Sequence, residues 1–378
     1  MSVKGAPKVI VSVTNDLATD NRVKKICTLL VEMGAEVVFV GRKKADSTPL
    51  DWNYTTHRFS MFFSKGGLFY AEFNIRLFFF LLLNRSDLLV SNDLDTLLPN
   101  FLISRIRKTP IVYDTHEYFL GVPEIQGRWV KRVWAAIERS IFPKLKTVFT
   151  VNDSIAGLYE KDYGIRPLVF RNIGDIPADI PAAQRSDLGI PEDAFVFINQ
   201  GSGINVDRGM EEALEALTKV PKAHLLLVGN GDVIPVLKER VPKMGLENRV
   251  HFVGRVPYNV LLSYTSLADV GLSLDKPTNI NYQFSLPNKL FDYIHRGLPV
   301  LCSQVIEVKT IVENFEVGIS VDSMNVKSVA EGMEKMIATG SAPFVEGLQK
   351  ARRQLTWKEE SKAVKNVYAT LLDSLKNG

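Results

Sequence analysis

Apolar and polar residues alternate along this chain in blocks that predict strands and helices in turn. The β-branched run Lys8–Thr14 predicts a strand, and apolar residues at helical spacing from Val23 to Leu30 predict the helix that follows it. Gly34 ends that helix, and the apolar run Glu36–Gly41 predicts a second strand. Strand, helix and strand in this order predict parallel pairing through a right-handed crossover.

The alternation continues over most of the chain. Further strands are predicted at Asp87–Asp93, Pro110–Glu117, Thr147–Asn152, Leu168–Phe170, Ala194–Asn199, His224–Gly229, Val250–Gly254, Val270–Leu274 and Pro299–Cys302. Helices are predicted at Thr96–Arg107, Val130–Ile141, Met210–Thr218, Asn259–Ala268 and Asn288–His295, and Asp153 is expected to cap another. Prolines at positions 177, 181 and 191 interrupt the periodicity, so a linker is predicted there. The expected fold class is α/β, with two consecutive doubly wound domains and a cleft between them.

Composition supports a globular protein and narrows its chemistry. Of the 378 residues, 46% are apolar and 23% are charged, which excludes an intrinsically disordered chain because enough apolar surface is available to bury. The two cysteines, Cys27 and Cys302, are too few for a disulfide framework or a cysteine-based zinc site. Five histidines without an HExxH arrangement leave little for a metal cage, so no metal is expected.

Charge is distributed unevenly between the two halves. Residues 1–175 contain 24 Lys and Arg against 18 Asp and Glu, a net charge of +6, whereas the remainder contains 22 against 24, a net charge of −2. A basic half can meet nucleic acid or an anionic membrane, and no zinc-finger, RRM-type or basic-zipper pattern supports nucleic acid. The amino terminus lacks the layout of a signal peptide, so a cytoplasmic protein is expected.

A Phe-rich segment, residues 60–85, lies in the basic half. Its longest apolar run, Leu77–Leu83, is far shorter than the roughly 20 residues that span a bilayer. If the segment is a helix, one face of it would hold Phe69, Phe73, Arg76, Leu77, Phe80 and Leu83. Two interpretations stay open: a helix packed on the sheet, or an amphipathic surface that rests on an anionic bilayer.

Two loops in the second half place glycines at the carboxyl ends of predicted strands, where parallel sheets bind ligands. The loop Gln200–Gly209 includes Gly203 and ends with Arg208 just before a helix, a combination that suits an anionic phosphate. The next strand ends at Gly229, and Gly231 follows, which permits close contact with a ring or a phosphate. Ordinary glycine turns with a solvated arginine would explain the same residues.

A third loop runs into a predicted helix. Ser285 or Asn288 is expected to cap a helix that begins near Pro287, and Lys289 lies in its first turn. A cation there opposes the helix dipole, and an anion in the same site would offset that opposition, so a diphosphate is suggested. Asp292, one turn later, could accept hydrogen bonds from ribose hydroxyls. The structural alternative is an amphipathic helix with Lys and Asp in solvent.

Together these loops describe a nucleotide-diphosphate site, and the sequence around them resembles a known family. The run SLPNKLFDYIHRGLPVLCS is similar to the donor-binding element of retaining GT-B glycosyltransferases of the family-4 type. The runs HLLLVGNGD, VHFVGRV, ADVGLSL, LVSNDLDTLLP, PIVYDTHEYF and FRNI resemble the same family. The resemblance spans nearly the whole chain and includes a tail helix over residues 356–378, which in GT-B proteins commonly crosses back to the first domain.

The resemblance implies a GT-B architecture in which two Rossmann-like domains face a central cleft. Residues 1–172 would form the acceptor-side domain, residues 173–191 the linker and residues 192–355 the nucleotide-sugar-binding domain. The implied reaction moves a sugar from a nucleotide-diphosphate sugar to a hydroxyl with retention of configuration, without a cofactor or metal. The implied partners are a nucleotide sugar and a sugar or lipid-linked acceptor, such as a surface-polysaccharide precursor, at the inner face of the membrane.

The resemblance also implies roles for individual residues. Arg208 and Lys289 would stabilise the diphosphate as the sugar departs, and Asp292 would hold the ribose. His116 would lie under the donor sugar and hydrogen-bond a hydroxyl. Other residues implied on the donor side are Gly203, Gly229, Gly231, Arg255, Val256, Ser285, Leu286 and Asn288. Those implied on the acceptor side are Asp16, Asp20, Arg22 and Glu117, with Asp20 a candidate to contact or deprotonate the acceptor hydroxyl.

The chain departs from the family pattern at two places. Phe284 stands where many members carry a glutamate, and Asp292 stands where they carry a second one; a subset with an SxPxKxxEY pattern also lacks the first. The loop after the first strand lacks the paired glycines of many members, so it could contact the acceptor instead, and a purely structural role for Arg22 is left open. A nucleotide-sugar 2-epimerase on the same fold and a non-catalytic nucleotide-binding homologue therefore remain as alternatives.

Several other polar residues are expected to serve structure. Asp93 and Asp95 are predicted to cap the helix that follows them. Asp114 is expected to satisfy loop amides, while His251 and His295 lie in core-like contexts. Cys302 ends a predicted strand and is expected to be inert packing.

Overall fold

Two separate parallel sheets organise the chain in the computed structural model, which describes residues 5–377. The first unit runs to Asn172 and takes in the chain again from Glu360, and the second unit spans Ile173–Glu359. Residues 173–191, predicted as a linker, group with the second unit. The predicted α/β class with two Rossmann-like sheets is confirmed.

The first unit contains a seven-stranded sheet in which every pairing is parallel. Its strands are β1 (Lys8–Ser12), β2 (Glu36–Lys43), β3 (Thr55–Ser60), β4 (Leu88–Asn92), β5 (Ile111–Asp114), β6 (Thr147–Thr150) and β7 (Leu168–Val169). Their spatial order is β3-β2-β1-β4-β5-β6-β7, so the chain changes direction across the sheet between β1 and β4. Ligands bind outside the carboxyl ends of strands at such a switch point.

Helices flank this sheet. They are α1 (Asn21–Glu32), α2 (Gly66–Leu83), α3 (Leu94–Arg107), α4 (Val130–Ile141) and α5 (Asp153–Tyr163), together with the last helix, α14 (Trp357–Asn377). From Glu360 onward α14 belongs to the first unit, where the Tyr368 ring lies 5.9 Å from that of Phe149. Glu360 also accepts hydrogen bonds from the backbone and side chain of Arg171, which ties the helix to the chain beyond β7.

Helix α2 forms from the Phe-rich segment and packs one face on the sheet. Phe69, Phe73, Leu77 and Leu81 are buried in a cluster with β-strand residues, and the Phe73 ring meets that of Phe59 at 5.6 Å. Each such buried side chain contributes roughly 1.5–3 kcal/mol. By length and composition alone the helix could cross a bilayer, with a mean hydropathy of 1.4 over its 18 residues. Its buried face is part of the sheet's core, so the interpretation of a packed helix is confirmed.

The exposed side of α2 differs from the predicted face. Arg76 is half-buried and pairs with Glu72, one turn earlier, at 2.8 Å. Leu83, predicted on the packed face, is 81% exposed, and Leu81 takes the buried position instead. Leu68, Ile75 and Phe79 are also exposed, which leaves an apolar side of the helix without cover in the described structure.

The second unit contains a six-stranded parallel sheet of order β10-β9-β8-β11-β12-β13. Its strands are β8 (Phe195–Gly201), β9 (Ala223–Gly229), β10 (Val250–Gly254), β11 (Val270–Ser273), β12 (Val300–Cys302) and β13 (Gly318–Ser320). Its helices are α6 (Met210–Leu217), α7 (Ile234–Lys243), α8 (Tyr258–Thr265), α9 (Ile280–Gln283), α10 (Asn288–Arg296), α11 (Ile306–Phe315), α12 (Val326–Thr339) and α13 (Val345–Gln354). Short 3₁₀ turns occupy Leu17–Thr19, Phe119–Gly121, Pro123–Ile125, Phe142–Lys144, Arg185–Leu188 and Ala342–Phe344. The switch point of this sheet lies between β8 and β11.

Three predicted helix caps are wrong. Asn152, rather than Asp153, caps α5 by accepting from the Ile155 amide at 2.9 Å. Helix α10 begins at Asn288 without a side-chain cap, because the Ser285 hydroxyl points to another acceptor. Asp93 precedes α3 but makes no cap hydrogen bond, and its backbone has a φ of 58°.

Candidate active site

The switch point of the second sheet brings two loops together at the carboxyl ends of β8 and β11. The first loop carries Arg208, and the second carries Asp275, two residues beyond the end of β11. Helix α10 adds Lys289 from its first turn. These are the positions at which an open α/β sheet binds ligands.

Asp275 gathers the predicted cations around one buried carboxylate. Arg208 Nη1 donates to Asp275 Oδ2, and Lys289 Nζ lies 3.9 Å from Oδ1. The Ser285 hydroxyl donates to Oδ2 at 3.2 Å. Two cations thus share one anion that is 1% exposed, so the cluster keeps a local positive charge. The structure therefore brings Arg208, Lys289 and Ser285 together.

Arg208 is held in place but keeps an unused donor. Its guanidinium carbon lies 4.0 Å from the centroid of the Tyr282 ring. Its Nε is buried and makes no hydrogen bond in the described structure. The next residue, Gly209, has a φ of 76°, and a Cβ there would lie 2.2 Å from the Leu274 carbonyl oxygen. Only glycine fits this turn, which fixes the direction in which Arg208 leaves the backbone.

Lys289 lies beside Asn199, with its side chain 11% exposed. Its Nζ donates to Asn199 Oδ1 at 2.8 Å, and among the described residues Asn199 Nδ2 is a second buried donor without a partner. Burial lowers the pKa of Lys289, and the Asp275 carboxylate opposes that shift while Arg208 adds to it. An anion placed against Lys289 and Arg208 would favour the charged ammonium of Lys289. It would also accept hydrogen bonds from the unpaired Arg208 Nε and Asn199 Nδ2.

The two predicted glycine turns pack on each other. A Cβ on Gly229 would lie 1.9 Å from the Gly201 carbonyl oxygen, and a Cβ on Gly231 would lie 1.9 Å from that of Ile204. The Ile204 amide also donates to the Asn230 carbonyl at 3.0 Å. Close approach of two backbones therefore accounts for Gly229 and Gly231 without a ligand. Gly203 differs, because a Cβ there would meet no atom nearer than 4.0 Å.

Asp292 belongs to a hydrogen-bonded chain inside the second unit. Tyr258 donates to its Oδ1 at 2.7 Å, and Gln200 Nε2 donates to its Oδ2 at 2.9 Å. Thr265 in turn donates to Gln200 Oε1 at 2.6 Å. Asp292 is only 5% exposed. The alternative that left Asp292 in solvent is therefore excluded, and its role at the ribose stays a prediction.

The remaining donor-side residues occupy the same edge of the second sheet. Arg255 follows β10 and is exposed, and Asn288 is exposed at the start of α10. Val256 and Leu286 are half-buried and pack against the apolar core of the second unit. Their contact with a nucleotide stays a prediction.

The first unit has its own polar cluster beyond β4 and β5. The His116 amide donates to Asp93 Oδ1 at 2.9 Å, and His116 Nδ1 lies 3.3 Å from Asp93 Oδ2. His116 Nε2 is buried without a hydrogen bond, 3.7 Å from Asp114 Oδ2. Burial by itself lowers the pKa of His116, but Asp93 and Asp114 outweigh it and raise that pKa to about 10. The two carboxylates therefore favour the protonated imidazolium.

Asp93 adopts a backbone conformation that glycine usually takes. Its φ of 58° and ψ of 166° cost roughly 1–3 kcal/mol for a residue with a side chain. Neither Asp93 nor Asp95 caps α3 with its side chain, because Asp95 accepts from the Thr14 hydroxyl at 2.5 Å. Burial, followed by the charge of Asp93, raises the pKa of Asp95 to about 8. Asp93 thus supports His116 instead of the helix.

Two residues predicted on the acceptor side are structural. Arg22 is buried and donates to both carboxylate oxygens of Asp114, at 3.0 and 2.8 Å, and to the Phe170 carbonyl. Asp16 is 3% exposed and accepts from the Ser47 hydroxyl and from the Ala18 amide. Both side chains are buried and bonded within the first unit, and Asp114 pairs with Arg22 instead of loop amides.

The other two acceptor-side candidates are more accessible. Asp20 is half-buried and caps α1 by accepting from the Val23 amide at 3.2 Å. Its charge contributes to the raised pKa of His116, so it belongs to the same cluster. The Glu117 side chain is half-buried, and its backbone carbonyl accepts from the Thr115 hydroxyl at 2.6 Å. The roles of Asp20 and Glu117 stay predictions.

Sequence reasoning missed the anion that organises the second-unit site. Asp275 follows the run ADVGLSL, and its place just beyond a strand was the available signal. Asn199 was also missed, and its place near the end of β8 was a signal of the same kind. Over residues 5–377, no group of three or more His, Cys, Asp or Glu side chains is arranged to hold a metal ion.

The chain matches two family models, one for each half. Residues 20–172 match the model described as Glycosyltransferase Family 4. Residues 195–339 match the model described as Glycosyl transferases group 1. The two matches cover the loops that carry His116, Arg208 and Lys289.

Solved structures share the whole fold at low identity. Sucrose-phosphate synthase from Thermosynechococcus elongatus aligns with a TM-score of 0.78 and 18% identity, over 98% of this chain and all of that one. HepE from Anabaena, solved in complex with UDP, aligns with a TM-score of 0.72 and 16% identity, over 96% of this chain and all of that one.

One curated relative matches over a short stretch. The lipopolysaccharide core biosynthesis glycosyltransferase LpsD of Rhizobium meliloti (strain 1021) is 34% identical over 74 residues. That stretch is 20% of this chain and 21% of the relative's length.

Proposed function

Because the chain belongs to the GT-B glycosyltransferases of the family-4 type, we propose that it transfers a sugar from a nucleotide-diphosphate sugar to a hydroxyl. The observation that carries this proposal is the pair of cations, Arg208 and Lys289, gathered around Asp275 at the switch point of the second sheet. The donor-element resemblance supports retention of configuration at the anomeric carbon.

The transfer exchanges one bond at the anomeric carbon for another. The bond to the diphosphate oxygen breaks while the acceptor oxygen bonds on the same face, and the acceptor proton passes to the departing diphosphate. Negative charge grows on that diphosphate, and Arg208 and Lys289 are proposed to stabilise it. Two protein cations can supply the field that a divalent metal supplies elsewhere, so the reaction is proposed to need no metal.

The nucleoside is proposed to lie along the edge formed by Gly203, Arg255 and Asn288, which are open to solvent. The UDP found in the Anabaena neighbour favours a uridine donor, and GDP is the alternative. Asp292 is proposed to hold the ribose hydroxyls. His116 is proposed to donate from Nε2 to a substrate hydroxyl, with Asp20 and Glu117 near the acceptor.

The acceptor is proposed to be a saccharide of a surface polysaccharide, including lipid-linked forms. The short match to a lipopolysaccharide core enzyme supports this class. A lipid-linked acceptor would be reached at the inner face of the membrane, and the uncovered apolar side of α2 is proposed to rest there. Lys65 and Arg85 flank the helix and suit an anionic surface.

The test of this function is a transfer assay with pooled nucleotide sugars and saccharide acceptors. We expect a glycosylated product and a free nucleoside diphosphate, in equal amounts, without added metal and in the presence of a chelator. Return of the nucleotide sugar as its 2-epimer would support the isomerase instead. Nucleotide binding with no turnover for any acceptor would support a non-catalytic homologue.

Membrane contact has a separate test. Replacing Phe79 and Leu83 with Ser should reduce flotation of the protein with anionic vesicles, because both side chains are more than half exposed. Phe78 is left intact, since it packs against the α2 cluster and its loss would report on folding. Replacing Val236 and Val345, exposed apolar residues of the second unit, is the matched control. Equal flotation of both variants and the unaltered protein would remove α2 from the contact.

A further inference from the structure

A cavity of ≈ 500 Å³ lies in the first unit, at the amino ends of β5 and β6. Its walls come from the end of α3, the turns that precede the two strands, and Leu371 of α14. The volume falls within the range of small-molecule sites, roughly 300–1,000 Å³. Nothing in the sugar-transfer reaction uses this part of the molecule.

Four cationic side chains line the cavity and no carboxylate does. They are Arg105, Lys108, Lys144 and Lys146. Over residues 5–377, none of the four comes within 4.0 Å of an acidic side chain. Other lysines of this chain, such as Lys243 and Lys309, pair with a glutamate one helical turn away. Four uncompensated charges around one cavity repel one another, and a bound anion would relieve that repulsion.

The backbone helps to keep part of this charge in place. Arg105 lies in the last turn of α3, and Lys108 ends the helix in the left-handed conformation, with a φ of 58°. The carbonyl end of a helix attracts cations, so both can remain without a carboxylate partner. Their donors are therefore left for a ligand.

The rest of the lining combines the hydroxyl residues Ser104, Thr109 and Thr147 with an apolar wall. Phe101, Pro110, Ile111 and Leu371 contribute to it, and Lys144 Nζ lies 5.9 Å from the centroid of the Phe101 ring. A site that joins arginine and lysine donors to an apolar wall suits a phosphate that carries an organic body. A carboxylate would satisfy fewer of the four cations, because it offers two oxygens and a single charge.

The cavity is separate from the candidate active site. It opens where β5 begins, at Ile111, whereas the His116 cluster lies beyond Asp114, where the strand ends. Three residue steps along the strand put these edges roughly 10 Å apart. Helix α2 ends on the cavity's side, since Arg107 of α3 donates to the Leu81 and Asn84 carbonyls at 3.0 and 3.3 Å.

We propose that this cavity binds a phosphate group, supplied either by a soluble phosphate ester or by the headgroup of an anionic lipid. The two sources share one chemistry and differ in whether a bilayer must be present. A headgroup would anchor the first unit beside the exposed end of α2, and a soluble ester would make the cavity a second ligand site.

The experiment compares the Lys144→Ala/Lys146→Ala variant with the unaltered protein in two assays. One is calorimetric titration with inorganic phosphate, with both proteins also carrying Arg208→Ala and Lys289→Ala to silence the second-unit cations. The other is sedimentation with vesicles of phosphatidylcholine, alone or mixed with phosphatidylglycerol. Two fewer cations should weaken binding about 10–30-fold.

Controls separate this cavity from general charge and from misfolding. Lys222→Ala/Lys335→Ala removes the same charge from exposed positions of the second unit and should leave binding unchanged. Lys144→Arg/Lys146→Arg keeps the charge and should restore binding. An unchanged melting temperature without ligand shows that the alanine variant is folded.

Each outcome decides the proposal. Phosphate binding that is lost in the alanine variant supports a soluble ester. Vesicle binding that needs phosphatidylglycerol and is lost in the same variant supports a headgroup. The cavity does not bind phosphate if the alanine variant binds as tightly as the unaltered protein in both assays. The same conclusion follows if its binding is weakened no more than that of the Lys222→Ala/Lys335→Ala control.

Discussion

Arg208→Ala and Lys289→Ala should each reduce kcat by roughly 10²–10³-fold, because each removes a cation from the site where leaving-group charge is proposed to develop. The donor Nε of Arg208 and the amide of Asn199 are unused in the described structure, so the site has hydrogen bonds to offer that no protein group takes. A rise in KM without a change in kcat would mean that the cation stabilises the ground state and the transition state equally. The measurement is steady-state transfer with saturating donor.

The matched control for Arg208→Ala is Arg353→Ala, an exposed arginine on α13. Removing Arg208 also leaves Asp275 with less compensation, so the melting temperature of each variant must be measured beside its activity. If Arg208→Ala and Lys289→Ala both turned over at the rate of the unaltered protein, the site at Asp275 would not be the donor site. The proposed function would then lose its main supporting observation.

Local pattern was enough to predict most elements of the fold. The helix Val130–Ile141 and the strand Val250–Gly254 have the predicted bounds, because their periodicity is uninterrupted and their ends carry clear turn residues. Strand β3 was missed. Its sequence, TTHRFS, alternates weakly, and as an edge strand it buries only Phe59.

The candidate site was predictable only as far as single loops carry a signal. Arg208 and Lys289 each stand beside a helix start, which is visible in sequence. The partners of Asp292 are not, because Gln200 lies 92 residues away and Tyr258 lies 34 residues away. The resemblance implies that Asp292 holds the ribose, but its burial by these two hydrogen bonds is not visible in the local pattern.

Arg22 illustrates the same limit and leads to the largest expected change in stability. The sequence left an acceptor-side role and a structural role open for it, and the structure shows a bidentate ion pair with Asp114 at 2.8 and 3.0 Å, with side-chain exposures of 3% and 2%. Arg22→Ala should lower the free energy of unfolding of the first unit by about 3–5 kcal/mol, because Asp114 would stay buried without its main counter-charge. Hydrogen exchange of the β5 amides in the whole protein measures this free energy.

The pH dependence of that loss identifies its cause. Burial raises the pKa of Asp114, but Arg22 and then His116 outweigh it, so the pKa lies well below the usual carboxyl range. A carboxyl with a depressed pKa stabilises the fold above its unfolded pKa, and this contribution is lost as pH falls through the folded pKa. Without Arg22 the folded pKa rises, so the gap in unfolding free energy between the two proteins should narrow on acidification.

Arg166→Ala is the control for the same measurement, because its pairs with Asp153 and Glu160 are largely exposed and belong to the same unit. Exposed ion pairs contribute at most about 1 kcal/mol, so Arg166→Ala should lower the free energy of unfolding only slightly. Its difference from the unaltered protein should not narrow as Asp114 is protonated. Replacing both partners, Arg22→Met with Asp114→Leu, should recover part of the stability, since no buried charge is left alone. A loss for Arg22→Ala no larger than that for Arg166→Ala would contradict the structural role and return Arg22 to the acceptor side.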